Sequence, residues 1–430
     1  MDTISHFHVT MTTAHTTLTQ ACLGVLLHFD VDVTRASLEE FPLAKYAVKY
    51  WASHARIENV SSSVQDGIER LFDPSKSHLS VWTWIDDPVN VGRNFLSSES
   101  PDEATKSPGE ATETPLHYPT FYGMHDIVIV EHSQDVNARA RGLLNRNQTP
   151  LHVATLREHA DIAQLLLEHG ADANAQDNFE RTPLFLASEN GFVEIARVLL
   201  EHGADTEVRA LPLIDDIPLM SPLEQASSRG HVEVVQALLE HGAYVNAENK
   251  ITRFHSVQNL GTRLFLEPYD DPNALGFGAR TALHYASSNG HVGVVRVLLE
   301  HGVDANAQNV TDATPLHQAS EYGRAESTRI LLEHGVDANA RDINNATPLH
   351  LACTRLHLTY IYSPSDPPDL PGVIRLLLHY GADIHARDEE GRTPFMRATE
   401  QKQSNMMQFL LEHGAEDHRV AITTDTGSGN

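Results

Sequence analysis

The chain has 430 residues and a formal net charge of −27, and only 2 of its residues are cysteines. Nucleic acids and anionic membranes bind basic surfaces, so this charge argues against both and permits a protein partner with a basic surface. Cys22 and Cys353 lie in unrelated segments, which gives no disulfide framework. Residues 1–20 show no leader-peptide pattern, and no apolar run is long enough to span a bilayer. We therefore expect a protein of the cytoplasm or nucleus.

Residues 1–96 carry apolar side chains at helical spacing. The stripes are Leu18, Cys22, Val25, Leu26 and Phe29; Leu43, Tyr46, Ala47, Tyr50, Trp51 and His54; Val64, Ile68, Leu71 and Phe72; and a short fourth of Leu79, Trp82 and Ile85. This pattern predicts a small all-helical module rich in aromatic residues. Residues 97–113 are polar and acidic and contain Pro and Gly, which is typical of a flexible linker.

A unit of the form TPLHxAxxxGxxxxxxxLLEHGADANA recurs from residue 114 to about residue 418. Its copies open at Thr114, Thr149, Thr182, Ser221, Thr281, Thr314, Thr347 and Thr393. Three of the spacings are 33 residues, and the longer ones indicate units that carry insertions. The unit from Thr114 lacks the LLEHGAD ending, as a terminal capping repeat would.

The letters of one unit predict a pair of helices. The Thr149 hydroxyl can cap the first helix, and Pro150 at its first position loses no hydrogen bond. Ala154 is small enough to admit a neighbouring helix, and Gly170 suits the left-handed turn at the end of the second helix. One pair cannot bury its apolar face alone, so neighbouring pairs must stack.

The T-P-L-H opener with its 33-residue period resembles the ankyrin repeat. The resemblance implies an all-α ankyrin-repeat solenoid of about seven to eight repeats over residues 114–418, preceded by the helical module and followed by a disordered tail at 419–430. It also implies an intracellular scaffold or adaptor that binds a partner protein through the turn tips and the exposed side of each first helix.

The candidate contact residues are those that differ between repeats at these positions. They are Asn178, Phe179, Arg181, Glu189, Asn190, Arg229, Phe277, Arg280, Glu321, Tyr322, Ile343 and Asn344, with Val310 and Thr311 at an equivalent tip. Exposed apolar and Arg side chains are typical of interface hot spots. The alternative is that Phe179 or Ile343 simply packs on the adjacent tip.

Two insertions interrupt the period. Residues 250–277 are rich in large apolar side chains and could cap the binding surface, dock a partner or be a decayed repeat. The spacing of 60 residues between Ser221 and Thr281 falls short of two whole units, which favours an insertion. Residues 356–371 contain several prolines and are expected to leave one unit between its two helices.

A second resemblance concerns residues 4–87. The stretches that carry it are Ile4–Thr10, Ala14–Leu18, Ala21–Leu23, Phe41–Ala47, Trp51–Ala55, Asn59–Ser62 and Leu71–Asp73. They resemble the helical segment that follows the NTPase module in fungal NACHT–ankyrin proteins. This resemblance implies an alternative function, the ligand-sensing C-terminal arm of a NACHT-type signalling NTPase. The chain itself contains no G-x-x-x-x-G-K-[ST] phosphate-binding loop.

Eleven of the 27 histidines lie at two repeat positions, the end of the T-P-L-H opener and the L-L-E-H-G ending. Histidines spread along the repeats are too dispersed for a zinc site, so we expect structural roles, either a buried ring that bonds backbone between repeats or a cation favoured at a helix C-terminus. Cys353 lies among apolar neighbours and is predicted to be a core residue rather than a reactive thiol. We expect no catalytic residues, metal or cofactor, and no enzymatic activity.

Overall fold

The computed structural model describes residues 11–28, 42–55, 64–72, 78, 116–121, 123, 135–140, 147–210, 219–244, 280–354 and 368–416. The chain divides into two compact units. The first consists of Met1–Asn178 with Glu201–Ala204, and the second of Phe179–Leu200 with Asp205–Asn430. The predicted linker at 97–113, the tail at 419–430 and the 250–277 insertion lie outside the described residues and stay predictions.

Three helices form the predicted N-terminal module: α1 Met11–Leu26, α2 Pro42–Ala55 and α3 Gln65–Phe72. They share a core that includes Cys22, Leu26, Trp51, Ile68 and Leu71. Three members of the predicted stripes face solvent instead, because Leu18, Tyr46 and Tyr50 are each exposed. The stripe of Leu79, Trp82 and Ile85 lies outside the described residues.

The repeats supply fifteen further helices. They are α4 His117–Phe121, α5 Pro150–Leu156, α6 Ala160–Glu168, α7 Pro183–Asn190, α8 Val193–Glu201, α9 Pro222–Arg229, α10 Val232–Glu240, α11 Ala282–Asn289, α12 Val292–Glu300, α13 Pro315–Glu321, α14 Ala325–Glu333, α15 Pro348–Ala352, α16 Leu370–His379, α17 Pro394–Glu400 and α18 Ser404–Glu412. Among the described residues, seven complete pairs follow α4, which confirms the expected repeat count and the all-α class. In the same residues, β pairing is limited to an isolated bridge between Ala210 and Met220.

The predicted hydroxyl cap begins the first helix at Thr182, Ser221, Thr314 and Thr393. Several openers add a bond that the sequence analysis did not specify. The backbone N–H of Thr314 donates to Nδ1 of His317 over 3.1 Å. Because Nδ1 accepts, the ring proton lies on Nε2, which donates to the Ala346 carbonyl of the following repeat at 3.2 Å. His284 makes the same pair of bonds, to Thr281 at 3.2 Å and to the Ala313 carbonyl at 3.0 Å. The opener histidine therefore joins consecutive repeats, as expected.

The histidine of the L-L-E-H-G ending has a different role. Nδ1 of His301 donates to the Val297 carbonyl of its own helix at 2.8 Å, and His334 does the same to Ile330. Each of these carbonyls also accepts from the backbone N–H of the same histidine, so the ring adds a second bond at the helix end. Of the two expected roles, the bond to backbone between repeats is present, and the cation at a helix C-terminus stays a prediction.

A third set of histidines, which the sequence analysis did not single out, lies just before the second helix. Nε2 of His291 donates to the Ser228 carbonyl of the preceding repeat at 3.0 Å. Its ring lies against Gly230, which ends α9 with φ +82, and a Cβ on that glycine would lie 2.6 Å from Nδ1 of His291. Only glycine fits here, because the position needs both a left-handed backbone and an empty side-chain site.

Within the second unit, the first helices of the pairs pack side by side in the order α7, α9, α11, α13, α15 and α17. The second helices also pack side by side, in the order α10, α12, α14 and α16. Helix α9 packs directly against α11. The repeat that begins at Ser221 is therefore the direct neighbour of the repeat that begins at Thr281. Residues 245–279 lie outside the described residues, so their assignment as an insertion stays a prediction.

Helices long and apolar enough to cross a membrane do not occur among the residues that the structure describes.

Candidate functional site

In three consecutive repeats, the turn that precedes the opener is closed by an Asn or Asp at its first position. The Asn309 side-chain oxygen accepts from the backbone N–H groups of Thr311 and Ala313 at 2.9 and 3.0 Å. Asp342 does the same for Asn344 and Ala346 at 2.9 and 2.8 Å. Asp388 accepts from the Arg392 N–H at 2.8 Å. These side chains fix the turn conformation locally, before any partner is present.

Backbone hydrogen bonds join the three turns. The Ile343 N–H donates to the Thr311 carbonyl at 2.9 Å, and the Glu389 N–H donates to the Asn344 carbonyl at 2.9 Å. We call the segments 309–313, 342–346 and 388–392 together the tip row. The Arg341 guanidinium supports it from below by donating to the Asn345 and Arg387 carbonyls, each at 2.9 Å.

The tip row presents apolar and acidic side chains to solvent. Val310 is 39% exposed and Ile343 38% exposed, although both are large aliphatic residues. Asn344 and Glu389 are exposed as well. The backbone of Ile343 binds the adjacent tip while much of its side chain remains accessible, so the packing alternative accounts for only part of this residue.

Four of the predicted contact residues form a second cluster, at the start of the second unit. Glu189 lies 3.9 Å from Arg181 and 3.6 Å from Arg229, and the Arg181 guanidinium lies 5.3 Å from the centre of the Phe179 ring. Arg229 is largely exposed, whereas Arg181 is only 5% exposed. The expectation that Arg181 lies at an exposed tip therefore does not hold, because its stem and guanidinium are covered by its neighbours.

Arg280, Glu321 and Tyr322 come together in a third cluster. Nη2 of Arg280 donates to the Gln318 side-chain oxygen at 2.7 Å, and its guanidinium also hydrogen-bonds Tyr322. Arg280 is 6% exposed, which again differs from the expected exposed position. Burial raises the pKa of the Glu321 carboxyl, although the Arg280 charge opposes that shift. Glu321 and Tyr322 are half-buried, so Arg280 acts as their support within the repeat.

The remaining predicted residues are separate from these clusters. Asn178 is exposed in the first unit. Asn190 is exposed, and its amide donates to the Leu186 carbonyl at 2.8 Å, which is a helix-terminal bond. Phe277 lies outside the described residues. The candidate list omitted Glu389 and Glu390, although they lie four and three residues before an opener, as Ile343 and Asn344 do. It also omitted Asp312, which lies two residues before its opener.

A buried ion pair lies near the second cluster. The Arg209 guanidinium donates to Glu224 at 2.8 and 3.1 Å, and the Glu224 carboxylate also accepts from the Ser221 N–H. Burial nevertheless raises the pKa of Glu224 to about 7, since the desolvation of its charge outweighs these partners. Both groups are engaged with each other and with backbone, so this pair is a cap for α9.

In the part of the chain described, the buried cysteine and histidines are poorly suited to reactive or metal-binding chemistry. Burial raises the pKa of the Cys353 thiol to about 12, which keeps it protonated and inert, as predicted for a core residue. Burial lowers the pKa of His284 and of His317 to about 4, so both rings are neutral hydrogen-bonding groups. Groups of three or more ligands that could hold a metal do not occur among the described residues.

Comparison with known proteins gives partial likenesses. The chain is 36% identical over 87 residues to alpha-latrocrustotoxin-Lt1a of Latrodectus tredecimguttatus, which covers 19% of this chain and 6% of that protein. It is 26% identical over 172 residues to azaphilone pigments biosynthesis cluster protein L of Monascus ruber, covering 37% of this chain and 34% of that protein. The chain thus spans about a third or less of either relative.

Two solved structures are similar to 63% of the chain. One is the human ASB11 ankyrin repeat domain, with 25% identity, a TM-score of 0.45 and 99% of that chain covered. The other is the ankyrin repeat domain of Bcl-3, described as a unique member of the IkappaB protein family, with 26% identity, a TM-score of 0.46 and 100% covered.

The family model described as ankyrin repeats (3 copies) matches residues 129–210, 173–249, 256–342, 304–362 and 339–421. These matches together cover more than half of the chain, and they coincide with the helix pairs and the cross-repeat histidine bonds. The chain therefore belongs to the ankyrin repeat family.

Proposed function

We propose that this protein is an intracellular scaffold or adaptor, cytoplasmic or nuclear, which binds a partner protein through the tip row and the adjoining ends of the first helices. Ankyrin repeats generally act as protein–protein interaction modules. The observation that carries the proposal is the tip row itself. Val310 and Ile343 are exposed on turns whose backbone is already fixed by hydrogen bonds.

Preorganisation gives this surface its binding potential. A loop that must order on binding loses conformational entropy at that moment, whereas a preformed loop does not. The turns of the tip row are closed by Asn309, Asp342 and Asp388 and tied to one another through backbone groups. The other side chains of these turns, such as Val310 and Ile343, are therefore presented in a defined arrangement without being used to hold the fold.

The candidate contact residues divide by this criterion. Glu189, Arg229, Ile343 and Asn344 have exposed or half-buried side chains at the surface and are proposed as direct contacts. Arg181 and Arg280 are covered, and we assign them supporting roles behind Phe179 and Tyr322. Asn178, Asn190 and Phe277 stay in the proposal on their sequence positions alone.

The test compares two exposed apolar side chains of equal accessibility. Ile343 is 38% exposed on the tip row, and Tyr380 is 40% exposed at the end of α16. Ile343→Asp is expected to abolish partner capture from cell extract, measured by quantitative mass spectrometry, with Tyr380→Asp retaining it. Both variants should unfold at the urea concentration of the parent protein, because neither side chain is buried. Equal capture by both variants would contradict the proposal.

A sensing arm of a NACHT-type NTPase is the second candidate. The resemblance of residues 4–87 supports it, and so does the separate core that α1, α2 and α3 form. In this case the NTPase would be encoded upstream or in another chain, and ATP and GTP should give no thermal shift with this protein. Full-length transcript sequencing tests the idea directly, since an upstream phosphate-binding loop in frame is its central expectation.

A further inference from the structure

We infer that the partner segment seated on the tip row is an extended peptide with two apolar residues followed by a Lys or Arg. This inference rests on the proposed function and specifies the chemistry of its partner. It comes from the side chains at one equivalent position in three consecutive turns.

The second residue of each turn is Val310, Ile343 or Glu389. All three are exposed. The backbone N–H groups of Ile343 and Glu389 are bonded to the preceding turn, so the direction in which each residue leaves the backbone is set by the repeat. A partner that follows the row meets an apolar, an apolar and an acidic side chain in that order.

The charges of the row favour a basic residue at the acidic end. Arg392 is bonded to Asp388 at 3.0 Å and forms an ion pair with Glu390, which leaves those carboxylates compensated. Glu389 has no such cation, and neither does Asp312 on the first turn, as far as the described residues extend. A Lys or Arg of the partner would supply the missing positive charge.

Two arginines border the row and do not reverse this balance. The Arg341 guanidinium donates to the Asn345 and Arg387 carbonyls, and Arg387 donates to the Gly391 carbonyl at 2.8 Å. Both cations are thus oriented toward backbone of the turns. Asp312, Asp342, Asp388, Glu389 and Glu390 outnumber Arg341, Arg387, Arg392 and Arg397, the last of which is ion-paired with Asp388 at 2.8 Å, and the chain carries −27 overall. A cationic segment is therefore attracted both locally and at longer range.

The apolar part of the peptide determines where it binds, and the basic residue determines its direction. Aliphatic side chains packed over Val310 and Ile343 would remove apolar surface from water, which is the main source of binding free energy. Electrostatic pairing with Glu389 mainly adds specificity and a faster association rate. A reversed peptide would place its cation over Val310, and the carboxylate of that turn, Asp312, lies two residues further along the chain than the position that Glu389 occupies in its own turn.

The test is a selection from a displayed random-peptide library on the full chain. The parent protein is expected to enrich peptides with two apolar residues followed by Lys or Arg. Binding of a synthetic peptide with the enriched sequence should weaken by about tenfold with Glu389→Lys, or ~1.4 kcal/mol, and should also weaken as salt rises. Glu233→Lys, on the exposed side of α10, is the matched charge reversal and should leave the dissociation constant unchanged.

The outcomes separate this inference from the proposed function. Enrichment of acidic or uncharged peptides that Ile343→Asp no longer binds would overturn the inference and leave the tip row as the binding surface. Enriched peptides that bind Ile343→Asp as well as the parent protein would overturn both. An absence of any enrichment would overturn the inference, because a preformed row of this chemistry must distinguish between peptides.

Discussion

The opener histidines and the tip row are two columns of the same repeats, and they differ in what holds one repeat to the next. His284 and His317 join repeats through their side chains, each accepting at Nδ1 and donating at Nε2. The turns of the tip row are joined by backbone groups, as in the bond from the Ile343 N–H to the Thr311 carbonyl.

This difference explains why one column repeats and the other varies. A bond made by an imidazole requires histidine at that position, and five of the eight openers carry it. A bond made by a peptide group accepts almost any side chain, so Val310, Ile343 and Glu389 can occupy equivalent positions. Different atoms of one repeat therefore serve stability and recognition. Substitutions of the opener histidines should affect folding, whereas substitutions in the tip row should affect binding.

Removing an opener histidine should give the largest effect on folding. His317→Ala deletes two hydrogen bonds, leaves the buried Thr314 N–H unpaired and takes one of two donors from the Ala346 carbonyl, so the free energy of unfolding should fall by about 3 kcal/mol. His301→Ala deletes an exposed helix-terminal bond and should cost less than about 1 kcal/mol. Urea denaturation followed by circular dichroism measures both. Similar losses would mean that the cross-repeat bonds have no special role.

The glycines of one repeat provide a matched pair. Gly230 and Gly242 both have left-handed backbones, with φ of +82 and +84, but only Gly230 has a neighbour at its Cβ position, the His291 ring. Gly242→Ala should cost about 1 kcal/mol in backbone strain. Gly230→Ala should cost about 2 to 3 kcal/mol, because the ring must also move. Equal unfolding midpoints for the two variants would show that the His291 contact is easily displaced.

Arg280 and Arg229, both predicted as partner contacts, should differ in how much each contributes to the free energy of unfolding. Arg280→Ala should lower the free energy of unfolding by about 2 kcal/mol, since it removes a buried bond to Gln318 and the support of Tyr322. Arg229→Ala should change it by less than about 0.5 kcal/mol, because that side chain is 56% exposed. Thermal unfolding of both variants checks this, and a stable Arg280→Ala would return Arg280 to the surface residues.

The pH dependence of one substitution tests the neutral state of the opener rings. Burial holds the pKa of His317 at about 4, against an ordinary value of 6.5. Between these values the unfolded chain binds a proton that the folded ring does not, so the ring's contribution is complete above pH 6.5 and declines toward pH 4. The loss of unfolding free energy caused by His317→Gln should therefore become smaller by about 1.4 kcal/mol for each unit that the pH falls across this window. Urea unfolding of the parent and the variant at pH 7 and at pH 5 gives the difference in free energy between them at each pH. If the ring were charged in the fold, that difference would be the same at both pH values.

The sequence was sufficient for the framework because its requirements are local. A Thr–Pro opener and a glycine after the second helix specify helix ends within a few residues, and a period of 33 residues specifies their stacking. Burial of Arg181 and Arg280 could not be predicted, since it depends on side chains from neighbouring turns. The role of His291 was missed for the same reason, because its partner Ser228 belongs to the preceding repeat and lies 63 residues away.

The direct packing of α9 on α11 has a consequence for how this protein could change. The two ends of the intervening segment, at Tyr244 and Arg280, are held at a fixed separation by the repeats, whatever connects them. The closure entropy of a connection grows only by about 0.6 kcal/mol for each doubling of its length. Growth or shortening at this junction is therefore almost neutral for folding. A whole additional domain, or the new termini of a circular permutant, could be accommodated there without shifting the register of a single repeat.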